Sequence, residues 1–78
     1  MIYDIILISD KPWEEIACHV FNIRAAEPNV RVIVATNMHS GIAESTADKL
    51  AVIDESQPIE KGFAESLAKP RSEWEFDV

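Results

Sequence analysis

The sequence predicts a small α/β domain: a three-layer fold in which helices cover both faces of a parallel sheet. Two apolar runs and the helix between them carry that expectation. Ile2 to Ile8 is apolar except for Asp4 and rich in isoleucine. Such a run is too short for a preferred helix and lacks the alternation of a strand with one wet face, so it reads as a strand buried on both sides. Val30 to Ala35 repeats the pattern with three valines and an isoleucine. A helix between two such strands supplies the long crossover that parallel pairing needs, and that crossover should be right-handed.

Asp10 and Pro12 open the intervening helix, since aspartate accepts first-turn amide hydrogen bonds and proline loses nothing there by lacking its own. Trp13, Ile16, Ala17, Val20 and Ile23 recur on one side at helical spacing, with Glu14, Glu15, Asn22 and Arg24 elsewhere. Pro28 and Asn29 end the helix. After the second strand, Ser40 is placed to cap a short helix running to Ala47. Leu50 to Ile53 forms a third strand. Pro58 to Lys69 then reads as a third helix, with Ile59, Phe63 and Leu67 stacked and Glu65 set to pair with Lys69. Pro70 stops it. The tail alternates Trp74, Phe76 and Val78 with Glu73, Glu75 and Asp77, the period-two pattern of a half-buried strand added at a sheet edge. The competing fold is a ferredoxin-like α+β sandwich, in which Arg31 to Thr36 and Leu50 to Ile53 would pair antiparallel. The direction of the Leu50 strand decides between them.

Seventy-eight residues make a single domain, 1–78, which buries a smaller share of its surface than a larger one. A composition 47% hydrophobic and 27% charged is that of a folding chain. The formal net charge of −7 repels nucleic-acid backbones and anionic membranes. Direct nucleic-acid binding is therefore not expected, although such a surface can imitate a nucleic acid before a basic partner. The lone Cys18 cannot form an internal disulfide, and no secretory pattern opens the chain, so a cytoplasmic location is the default. The longest apolar run falls far short of a membrane span.

Few residues suggest chemistry. Cys18 and His19 are neighbours on a helix and diverge by about 100°, unlike a converging ligand pair. His39 beside Ser40 lacks a serine elbow and an assignable third carboxylate. It does follow the second strand, where open α/β sheets place ligands, which keeps His39 as a site candidate. Gly41 and Gly62 are the only glycines and stand too far apart for a phosphate loop. Ser9, Asp10, Thr36, Asn37 and Asp54 would meet at one end of the sheet if all three strands run parallel. Trp13, Trp74 and Phe76 are the aromatics suited to a binding surface. No cofactor or metal is expected.

The order of elements, read with its local motifs, resembles the last three strand-helix units of receiver domains of response regulators, over roughly residues 3 to 68. The matching pieces are YDIILIS, Pro12, Ile23-Arg24-Ala25-Ala26, Glu27-Pro28-Asn29-Val30 and Val32-Ile33-Val34-Ala35-Thr36, followed by Ala47-Asp48-Lys49-Leu50-Ala51-Val52. The resemblance implies half of a flavodoxin-like sheet that is degenerate at the phosphorylation site. Ser9 stands where the family keeps its phosphate-accepting aspartate, with Asp10 one residue beyond and turned elsewhere. Ile53 or Asp54 replaces the family's lysine, and Thr36 alone matches its switch hydroxyl. The magnesium-binding acidic pair belongs to an earlier unit. The same correspondence would leave the first strand at a sheet edge, with Ile2 and Tyr3 available to a partner or a second copy.

The resulting expectation is a noncatalytic receiver-like module that binds or inhibits a protein partner. The alternative is a small acidic inhibitor of the phage type, anti-CRISPR-like, that blocks a basic nucleic-acid-binding surface. A small enzyme or ligand binder built on His39 would require a cleft at the strand ends.

Overall fold

Strand β1 (Tyr3–Ile8) is apolar on both faces because it lies at the centre of the sheet with helices above and below it. The structure, a computed structural model, describes residues 3–76. Along them follow α1 (Trp13–Ala26), β2 (Arg31–Ala35), α2 (Met38–Glu44), β3 (Lys49–Asp54), α3 (Phe63–Leu67), β4 (Lys69–Pro70) and α4 (Arg71–Phe76). The described strands form one mixed sheet in the order β2-β1-β3-β4. β2 and β3 both run parallel to β1, and the two-residue β4 runs antiparallel to β3.

The alternation of β1 sorts its side chains onto two cores. Tyr3, Ile5 and Leu7 pack with Val20 and Ile23 of α1, Ala51 and Ile53 of β3, and Phe63 and Ala64 of α3. Ile6 points the other way, into a cluster with Ile33, Ala35, Ile42 of α2 and Leu50, against which Trp74 of α4 packs. Ile5, Ile6 and Leu7 are fully buried, and each such side chain contributes about 1.5–3 kcal/mol relative to exposure. The chain steps from β1 to β2, then back past β1 to β3. Right-handed crossovers in opposite directions need helices on opposite faces, and α1 and α2 lie on opposite faces. α2 sits close to the sheet at Gly41, where a Cβ would collide with Ile6 Cγ2 and crowd Ala35.

The α/β class holds, and the antiparallel pair of the ferredoxin-like alternative does not form. Several expectations are corrected. β1 is not an edge strand, because β3 occupies the side expected to be open, and Tyr3 is buried beneath α1 and α3. Strand pairing of a second copy along β1 is therefore blocked. Ile2 lies outside the described residues. The tail is helical from Arg71 to Phe76 rather than extended. Arg71 and Trp74 both turn back onto the body, a geometry that helical spacing allows. Residues 77–78, also assigned to that strand, lie outside the described residues.

The caps move as well. α1 begins after Pro12 without a side-chain cap from Asp10. Asn37, not Ser40, caps α2, its Oδ1 accepting from the Ser40 amide at 2.8 Å. The third helix is limited to Phe63–Leu67 because Gly62 takes a left-handed φ of 83° just before it. Ile59 still packs on the core from the preceding loop. Lys69, expected to pair with Glu65, lies over the Trp74 ring at 4.9 Å. No helix among the described residues is long and apolar enough to cross a membrane.

Candidate functional site

Parallel pairing brings the three strand ends level: Ile8 is opposite Ala35 on one side and Asp54 on the other. The residues that follow divide between the two faces of the sheet. Ser9 continues the inward alternation of Leu7 toward α1 and is buried. Its amide donates to the Ala35 carbonyl at 2.9 Å, extending the β1–β2 ladder by one bond. Its hydroxyl donates to Glu55 Oε1 at 2.6 Å and accepts the Lys11 amide at 3.1 Å. Glu55 Oε2 also meets Lys11 Nζ at 2.7 Å. One carboxylate thus ties the loop after β1 to the loop after β3. The lysine and serine hydrogen bonds hold the Glu55 pKa below its ordinary value, helped by the charges of Lys11 and His19. A serine so engaged, beside a carboxylate held in its weakly basic ionised form, is poorly disposed to act as a nucleophile.

On the other face, Thr36, Asn37 and Asp54 line a shallow cleft of about 590 Å³ together with Ile8, Met38, Val52, Ile53, Ser56 and Gln57. Asp54 Oδ1 accepts the hydroxyl and the amide of Ser56, and these bonds lower its pKa. Ser9 and Asp10 do not line this cleft. Asp10 is exposed in the loop beside Lys11. The four residues expected at the degenerate phosphoacceptor position therefore share an end of the sheet but not a cavity. His39 is exposed on the first turn of α2 and is also absent from the cleft lining.

Cys18 is exposed on α1, and the neighbouring His19 keeps its Nε2 buried without a described hydrogen-bond partner. No cluster of three or more His, Cys, Asp or Glu residues suited to a metal ion occurs among the described residues.

The aromatics expected at a surface behave differently from one another. Trp13 is 53% exposed, and Phe21, two turns along α1, is 57% exposed. Their rings meet edge to face at 6.3 Å and 81°. Trp74 is half-buried and donates its indole N–H to the Leu50 carbonyl at 2.7 Å, so it anchors the tail. The side chain of Phe76 lies outside what is described. Sequence reasoning missed Phe21, whose one signal is that it follows Trp13 and Ala17 at successive four-residue steps.

A larger depression, about 960 Å³, lies at the amino ends of the strands, lined by Asp4, Asn29, Arg31, Thr46, Ala47, Asp48 and Lys49. Its buried charge is already matched. Asp4 Oδ2 accepts from Arg31 Nη2 at 2.8 Å and from the Ser45 hydroxyl at 2.6 Å. Burial alone would raise the Asp4 pKa, but the bonds from Arg31 and Ser45, the Arg31 charge and the Ala47 amide outweigh it and hold the pKa below the ordinary value. Asp4 and Arg31 are paired in the strand register, so the buried charge of this depression has a structural explanation. No protein-family model matches the chain, and no curated protein or solved structure is significantly similar to it.

Proposed function

We propose that the protein is a noncatalytic α/β module that acts by binding another protein, with the outer side of α1 in contact with its partner. The single observation behind this is the Trp13–Phe21 pair. Two large aromatics, each more than half exposed, touch each other on a helix whose Ile16, Val20 and Ile23 already fill the core. Aromatic side chains that packing does not require are the usual anchors of protein interfaces. A noncatalytic role is supported by the burial of Ser9 and by Glu55, whose lowered pKa makes it a weak base for the Ser9 hydroxyl.

The receiver-like part of the proposal draws support from the parallel strands and the helices on both faces. It has to accommodate a central β1. In the flavodoxin-like order 2-1-3-4-5 the last three units would place their second strand between the other two, whereas the order found here is that of the opening 2-1-3. The acidic-inhibitor alternative rested partly on an extended tail, and the described part of that tail, Arg71–Phe76, is helical instead.

Affinity capture with the wild-type chain and with a Trp13→Ser/Phe21→Ser double variant tests the binding surface. A partner retained stoichiometrically by the first and lost by the second, with the variant's melting curve unchanged, is the expected result. Equal capture by both would reject the α1 surface. Incubation with acetyl phosphate and magnesium tests the other half: stoichiometric labelling of Asp10 would overturn a noncatalytic role.

A further inference from the structure

The open part of the β3 edge and the cleft beside it form a second surface with its own chemistry. β4 pairs with β3 only at Lys49 and Leu50. The Leu50 carbonyl points away from β1, since it accepts the Trp74 indole N–H. Backbone groups alternate sides along a strand, so the amide and carbonyl of Val52 face the same way. Beyond Leu50, no described strand lies on that side. An unpaired strand edge is a template for an added strand.

The cleft adjoins this edge. Ile8, Met38 and Val52, all half-buried, supply its apolar surface. Among its lining residues Asp54 is the only charged one, and none is basic. The two bonds from Ser56 favour the ionised Asp54 carboxylate, and the whole chain carries a net charge of −7. Charge complementarity therefore selects a basic occupant, which also argues against a second copy of this acidic chain.

We propose that the Val52 edge and the adjoining cleft receive an extended, basic segment of a partner protein. The segment adds a strand antiparallel to β3 in line with β4, seats an apolar side chain against Ile8, Met38 and Val52, and sets a lysine or arginine against Asp54. This rests on the chain being a protein binder but not on the α1 surface.

The test is a titration of the isotopically labelled full chain with a capped peptide alternating valine and lysine, followed by NMR, with a valine-glutamate peptide as control. The lysine peptide should shift the amides of Val52, Asp54 and Thr36 and slow hydrogen exchange at Val52. Asp54→Asn should weaken its binding by about three-fold, the scale of an exposed ion pair. Trp13→Ser/Phe21→Ser should leave it unchanged, which separates failure here from failure of the α1 surface. Shifts centred on β2 or α1, an equal response to the glutamate peptide, or no response would overturn the proposal.

Discussion

The two ends of the sheet treat their polar residues in opposite ways. At the amino end, Asp4 is buried and closed off by Arg31 and Ser45. Next to it Arg71 donates to the carbonyls of Ile42, Ser45 and Ala47 at 2.8, 2.6 and 2.9 Å, joining the end of α2, the following loop and the tail. At the carboxyl end, Glu55 bridges two loops through Ser9 and Lys11 on one face, while Asp54 and Asn37 make only local contacts on the other and line an open cleft. The difference teaches how each end uses its polar groups: the amino end closes them on one another, whereas the carboxyl end keeps an exposed carboxylate beside a cleft.

Substitutions at the two ends can break or sharpen that contrast. Arg71→Ala should have the largest effect, about 3 kcal/mol of lost stability in chemical denaturation, because it leaves several carbonyls without their charged donor. A loss as small as that of a surface substitution would deny the amino end its structural role. Gly41→Ala comes next, at about 2 kcal/mol, since overpacking against Ile6 exceeds the gain in helix propensity.

Asp4→Ala should cost about 2 kcal/mol at neutral pH. Its folded pKa is depressed, so the wild-type contribution is present above the ordinary value of 3.8 and lost as pH falls through the folded value. The gap between wild type and variant should therefore narrow in acid, and denaturation at pH 7 and pH 3 measures it. At the carboxyl end, Lys11→Ala should barely change stability, because the pair with Glu55 is solvent-screened. A large loss there would show that the carboxyl end is structural too.

How much of this was legible in the sequence depended on the range of the interactions. β1, α1, β2 and β3 were readable because their apolar spacing is local. The Asp4–Arg31 pair had a usable signal: it appears when the two apolar runs are laid side by side in parallel, a lone acid opposite a lone base. Glu55 gave none, since its value comes from Ser9, 46 residues away. The tail misled because alternation of Trp74 and Phe76 with glutamates fits a strand as well as it fits one turn of helix anchored by a single ring. The central place of β1 was likewise hidden, as strand order depends on which crossover reverses, and no local spacing records that.

The Arg71–Trp74 attachment has a consequence for synthesis. Trp74 completes the apolar cluster around Ile6, Ile42 and Leu50, and Arg71 reaches back 29 residues to Ile42. A nascent chain released from the ribosome only as far as Leu67 can form β1, β2 and β3, but it presents Leu50 and the whole outer edge of β3 uncovered. Such a chain is open to self-pairing along that edge until β4 and Trp74 cover its Leu50 end.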